Sequence, residues 1–202
     1  KFPKINAKVT KVLSSFSYIQ KYGFMDTCID VKHLRNRMAN LHDIVQWCNQ
    51  TLKANEFKDY APNGLQIEGK SKVNKIVCAV TASEDAIDAA IAQQADALLV
   101  HHGYFWKGEP YPITGMRGNR IKKLIQNNIS LIAYHLPLDA HPVLGNNAAI
   151  AELIGLQDLE ALDPTEKHPI GNIGYLDQAL SPEQFKERLQ AVFDFSVLHL
   201  AC

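Results

Sequence analysis

The chain has 202 residues, is 47% hydrophobic and 21% charged, and carries 21 Lys+Arg against 21 Asp+Glu, for a formal net charge of zero. This is the composition of a folded globular protein, with length for one good core or for a domain plus part of a second; it excludes a disordered chain. A neutral chain lacks the overall basic field of a dedicated nucleic-acid binder, so nucleic acid is not an indicated partner.

No apolar run approaches the roughly 20 residues that span a bilayer. The four cysteines, Cys28, Cys48, Cys78 and Cys202, form no CxxC pair, which disfavours a cysteine zinc site and points to a reducing, cytoplasmic setting.

Residues 1–37 differ from the rest. Eight Lys and Arg face only Asp26 and Asp30. A basic N-terminal extension outside the fold is expected, with Met38 as a natural start; an organelle transit peptide is the other reading. From Leu41 the pattern is regular. Leu41, Ile44, Val45, Cys48 and Leu52 recur at helical spacing. Pro62 and Asn63-Gly64 mark a turn. Lys75–Val80 reads as a strand, and Thr81 or Ser83 as the cap of a helix with Glu84 and Asp85 in its first turn.

Ala97–Val100 is a four-residue apolar strand running into His101-His102, then a glycine-bracketed aromatic loop. Asn119–Asn127 is expected to be helical with Ile121, Leu124 and Ile125 inward. Ile129–His135 reads as a strand and Leu136–Pro142 as the loop at its end. Asn146 or Asn147 is expected to cap a helix that stops near Gly155. Alternation of strand and helix predicts an α/β unit with a parallel-rich sheet. Beyond it, Ile173–Leu176 is strand-like, Ser181–Gln184 opens a helix, and Ser196–Leu200 is strand-like.

Three groups can carry chemistry: His101 with His102, Asp139, and His135 with His141. In open α/β sheets, ligands gather at the C-terminal strand ends, where His101-His102 and Asp139 fall. Neighbouring strand residues project to opposite faces, so the adjacent histidines suit two positions better than one chelate. That is the geometry of a dinuclear centre. Nitrogen and carboxylate ligands favour zinc, iron, manganese, nickel or cobalt, and two ions roughly 3.5–4 Å apart can activate a water. The other reading makes these residues structural: buried imidazoles donating hydrogen bonds, and Asp139 organising its own loop. His33, His42, His168 and His199 have no paired neighbour and read as structural or solvated. Tyr104 and Trp106 can stack a ring while Lys107 meets a phosphate; the alternative is core or interface packing. No P-loop, GxSxG, HExxH or complete GxGxxG is present.

Tyr60-Ala61-Pro62-Asn63-Gly64-Leu65-Gln66, Val100–Gly108 and His135–His141, in this order and spacing, closely resemble motifs of the YbgI family. These are NIF-three-like dinuclear-metal proteins, often named GTP cyclohydrolase I type 2 homologues. The resemblance runs from about Met38 to the C-terminus. It implies an α/β fold of two similar lobes, a site for two divalent metal ions in the cleft between them, and a toroidal homohexamer.

The family's matching metal ligands fall on His101, His102 and Asp139. Tyr104, Trp106, Lys107 and Asn63 are expected, from their own chemistry and place in the motifs, as substrate contacts. The family's remaining ligands, a histidine and a glutamate, belong to a second-lobe motif that these residues do not include. The expected organisation is therefore an extension (1–37), a first lobe with the metal motif (38–160) and an incomplete second lobe (161–202). The implied function is a metal-dependent hydrolase acting on a nucleotide-like substrate. The alternatives are a non-catalytic metal-binding regulatory protein and a metal-delivery protein.

Overall fold

The computed structural model describes residues 39–193 and 196–200, together with the backbone of 28–30. The remainder of the basic segment, including His33 and Met38, lies outside the described residues.

The centre of the fold is a five-stranded sheet in the order β1-β5-β6-β7-β3. Its middle is parallel: β5 (Lys75–Thr81), β6 (Ala97–His102) and β7 (Ser130–Ala133). Both edges are antiparallel, β1 (Cys28–Asp30) against β5 and β3 (Gly64–Ile67) against β7. The mixed α/β architecture agrees with the parallel-rich sheet expected from the alternation of elements. Gly64, expected only as a turn residue, opens a strand, with φ of 103° at its first position.

Strand side chains alternate between two cores. Ile76, Cys78, Leu99 and Ile132 pack on one face with Leu41, Ile44 and Cys48 of α1 (Leu41–Thr51). Val77, Ala79, Leu98, Val100 and Leu131 pack on the other. There they meet Ala86, Ile87 and Ala90 of α2 (Glu84–Ala92) and Ile121 and Leu124 of α3 (Gly115–Gln126). A sheet covered on both faces explains why β6 is apolar throughout rather than alternating. Asn40 and Ser83 cap α1 and α2 through their side chains, each satisfying an N–H that the helix leaves open.

Several local expectations are corrected. Helix α3 begins at Gly115, four residues before the expected Asn119, and Ile125 is 56% exposed rather than inward. Leu136–Ala140, expected as loop, is the short helix α4; Pro137 sits in its first turn, where no N–H is needed. Helix α5 (Asn146–Ile154) has Gly145 as its N-cap, not Asn146 or Asn147. A Cβ at Gly145 would lie 2.6 Å from Leu138 O and 2.9 Å from Asp139 O, so that position has no room for a capping side chain.

Gly155, at φ 78°, ends α5 as expected. Beyond it, β8 (Leu156–Ala161) and β9 (Asn172–Leu176) form a separate antiparallel pair, and a two-residue pair joins β2 (Ala39–Asn40) to β4 (Lys72–Val73). The final helix, α6 (Pro182–Phe193), opens with a reciprocal box: Ser181 Oγ accepts from Gln184 N, and Gln184 Oε1 accepts from Ser181 N. Residues 196–200, expected as a strand, adopt no regular element.

Candidate functional site

The site forms where the parallel strands end. The last β6–β7 partners are Val100 and Ala133; after Ala133 the chain leaves the sheet through Tyr134 and His135. His101 and His102 therefore overhang the strand they would have packed against. Free of that neighbour, their rings turn toward each other, with centroids 4.3 Å apart. Strand parity sets the Cβ directions of these adjacent histidines, but at the strand end their rings lean together.

His135 completes the group. Its ring lies 5.0 Å from that of His101 and 5.7 Å from that of His102. One nitrogen from each of the three rings lies within 4.8 Å of the others. His101 is buried and the other two are half-buried.

Each ring is held at Nδ1. His101 Nδ1 lies 2.9 Å from Tyr134 O, His102 Nδ1 lies 3.2 Å from Thr81 Oγ1, and His135 Nδ1 lies 2.7 Å from Asp59 Oδ1. A carbonyl or carboxylate only accepts, so His101 and His135 each carry a proton on Nδ1, and in the neutral ring the lone pair is on Nε2. This is the arrangement of metal-binding imidazoles, oriented from behind by a hydrogen bond to their other nitrogen. Burial, then the neighbouring rings of His101 and His135, push the His102 pKa below the ordinary imidazole value, with Asp139 opposing. That direction favours the neutral form that a metal requires.

Asp139 approaches from α4. Its Oδ1 lies 3.5 Å from His101 Nε2 and accepts from Asn146 Nδ2 at 2.8 Å. The structure thus brings together His101, His102 and Asp139, and adds His135. His141 is not part of the group; its Nδ1 accepts from Val143 N and Leu144 N. Three imidazole nitrogens and a carboxylate oxygen form a donor set suited to zinc, iron, manganese, nickel or cobalt.

The surrounding residues divide by role. The Trp106 indole stands edge-on to His135 at 4.9 Å and donates through Nε1 to Gly103 O, forming a wall of the site. Lys107 is exposed, with its backbone N donating to Tyr60 O at 2.7 Å. Tyr104 is 6% exposed and its hydroxyl donates to Ala82 O at 2.6 Å, so the ring serves the core. Asn63 is engaged at both ends, giving Nδ2 to Asp59 Oδ2 and accepting His135 N on Oδ1. Asp59 was not singled out by the sequence, where it reads as part of a turn. The signal available was its place one residue before the Tyr60–Gln66 motif.

A family model described as Duf34/NIF3 (NGG1p interacting factor 3) matches residues 39–201. A Vibrio cholerae protein named GTP cyclohydrolase 1 type 2 homolog is 52% identical over 155 residues, which is 76% of this chain and 60% of that protein. A Haemophilus influenzae protein of the same name is 49% identical over 159 residues, 78% of this chain and 62% of that one. A solved structure described as protein ybgI, of unknown function, superposes with a TM-score of 0.71 at 44% identity, covering 76% of this chain and 60% of its own. The chain thus spans about 60% of the length of the relatives it matches.

Proposed function

Because the chain belongs to the Duf34/NIF3 family, we propose that His101, His102, His135 and Asp139 hold divalent metal and that the protein is a metal-dependent hydrolase of a nucleotide-like substrate. The observation that carries this reading is the convergence of three imidazoles, each engaged at Nδ1. Two ions, as expected from the family resemblance, would share these residues with ligands from other parts of the whole protein. When bound, a divalent ion supplies Lewis acidity for hydrolysis.

This chain's own residues hold the donors and shape the space. Tyr134 O, Thr81 and Asp59 fix the rings, Asp139 brings negative charge, and Trp106 walls one side against water. The relatives' printed name supports the nucleotide-like substrate class. A homo-oligomeric state and a cytoplasmic setting belong to the same proposal.

The test is turnover of a panel of nucleotides and phosphate esters by metal-supplemented protein. Activity lost in both His101→Ala and Asp139→Ala supports the hydrolase. Metal bound by the wild type without turnover refutes it. That outcome favours the second reading, a metal-binding interaction module, which has its own support in the family description as an interacting factor.

A further inference from the structure

Asp59 is a carboxylate 3% exposed at its side chain, placed directly behind the imidazole group. Four donors converge on it. Oδ1 takes His135 Nδ1 at 2.7 Å and Tyr60 N at 2.6 Å; Oδ2 takes Leu136 N and Asn63 Nδ2, each at 2.9 Å. A carboxylate has about four lone-pair sites, and here all are used. Burial alone would raise its pKa, but these four hydrogen bonds outweigh it and hold the group below the ordinary carboxylate value. Asn63 doubles the grip: while donating to Asp59, it accepts the backbone N–H of His135 at 2.8 Å. The ring and the backbone of His135 are therefore clamped by one Asp–Asn pair that belongs to a different part of the chain.

We propose that Asp59 is a positioning residue for His135: by accepting the Nδ1 proton it fixes the tautomer and the ring plane, leaving Nε2 bare toward His101 and His102. The imidazole on its own prefers neither nitrogen strongly enough to guarantee this, and a solvent-facing Nδ1 would let the ring rotate or exchange tautomers. The carboxylate also makes the free nitrogen a better electron-pair donor. The inference rests on the metal-site reading above for its functional consequence, although the tautomer it specifies exists with or without metal.

The test uses the full chain in four forms: wild type, Asp59→Asn, His135→Ala and the double variant. Long-range ¹H–¹⁵N spectra of metal-free wild type should show His135 as the Nδ1–H tautomer, and Asp59→Asn should lose that single state. Asparagine presents an NH2 group to one set of donors, so it cannot reproduce the four bonds. Zinc affinity, read by competition with a chromophoric chelator, should fall roughly 10–100-fold in Asp59→Asn. His135→Ala should weaken zinc binding comparably, and the double variant should be no weaker than His135→Ala alone.

An Nε2–H tautomer in the wild type overturns the inference, and this holds even where Asp59→Asn fails to fold. So does a full additional loss from Asp59→Asn in the His135→Ala background, which would mean that Asp59 only anchors its turn. Wild-type protein that binds no zinc yet shows the Nδ1–H tautomer removes the metal-site reading and leaves the positioning role standing.

Discussion

Replacing Gly103 by alanine tests how the histidine strand is joined to the rest of the site. A Cβ at this position would overlap Gln66 Oε1 and would lie 2.7 Å from Gln66 Cδ and 2.8 Å from Ala133 Cβ. Gln66 has a specific task, accepting Tyr104 N on Oε1 at 2.7 Å while donating to Pro62 O at 2.9 Å. Gly103→Ala therefore forces a choice between displacing Gln66 and straining the β6–β7 strand ends. Stranding the Tyr104 N–H costs about 1–3 kcal/mol. Overpacking against Ala133 adds about 1–3 kcal/mol. The working expectation is a loss of about 3 kcal/mol by equilibrium urea unfolding, against about 1 kcal/mol for Gln66→Ala. The double variant should cost less than the sum of the two, because removing Gln66 relieves one of the two clashes. A Gly103→Ala protein within about 0.5 kcal/mol of wild type, the range of an ordinary surface change, would refute this account of the turn.

Asp96, 6% exposed, accepts from Asn74 N, Lys75 N and Lys70 Nζ, so Asp96→Ala should cost about 2–4 kcal/mol in unfolding free energy by stranding these donors. Burial would raise the Asp96 pKa, but those bonds and the Lys70 charge hold it below the ordinary value. Its contribution is therefore present above the unfolded-state value of about 3.9 and lost as pH falls through the lower folded value; Asp96→Asn should flatten that acid limb of the urea midpoint. Tyr134→Phe removes a hydroxyl that donates to Asn49 Oδ1 at 2.7 Å and should cost about 1–2 kcal/mol while leaving metal affinity unchanged, since His101 uses the Tyr134 backbone carbonyl. Adding zinc at a hundredfold over its dissociation constant should stabilise the fold by about 2.7 kcal/mol, reversed by chelator, as a shift in urea midpoint.

What the sequence made legible was the periodic part of the fold. Helices α1 and α2, the three parallel strands, and the Gly155 stop follow from apolar spacing and cap chemistry, which are local signals. The antiparallel edge β3 was hidden because Gly64-Leu65-Gln66-Ile67 begins on a turn residue and has only four positions in which to show a pattern. The short helix α4 was hidden behind Pro137, which breaks a helix interior but suits its first turn. At the site, His101, His102 and Asp139 were visible as strand-end and loop residues of ligand type. His135 was visible as a candidate beside His141; that its ring and not that of His141 joins His101 and His102 was not, because the strand expected to run through His135 ends at Ala133. Asp59 was the least accessible of all: its partner His135 is 76 residues away, and no local spacing encodes such a pairing.

The most direct test of the central claim is metal stoichiometry. Protein dialysed against zinc, manganese or cobalt and then analysed by plasma mass spectrometry should retain at least one ion per chain. Retention should fall severalfold or more in His101→Ala and in His102→Ala, while His141→Ala, whose ring lies outside the group, should keep the wild-type content. Wild-type protein that retains no metal, or histidine variants that retain as much as wild type, would contradict the assignment of this imidazole group as a metal site.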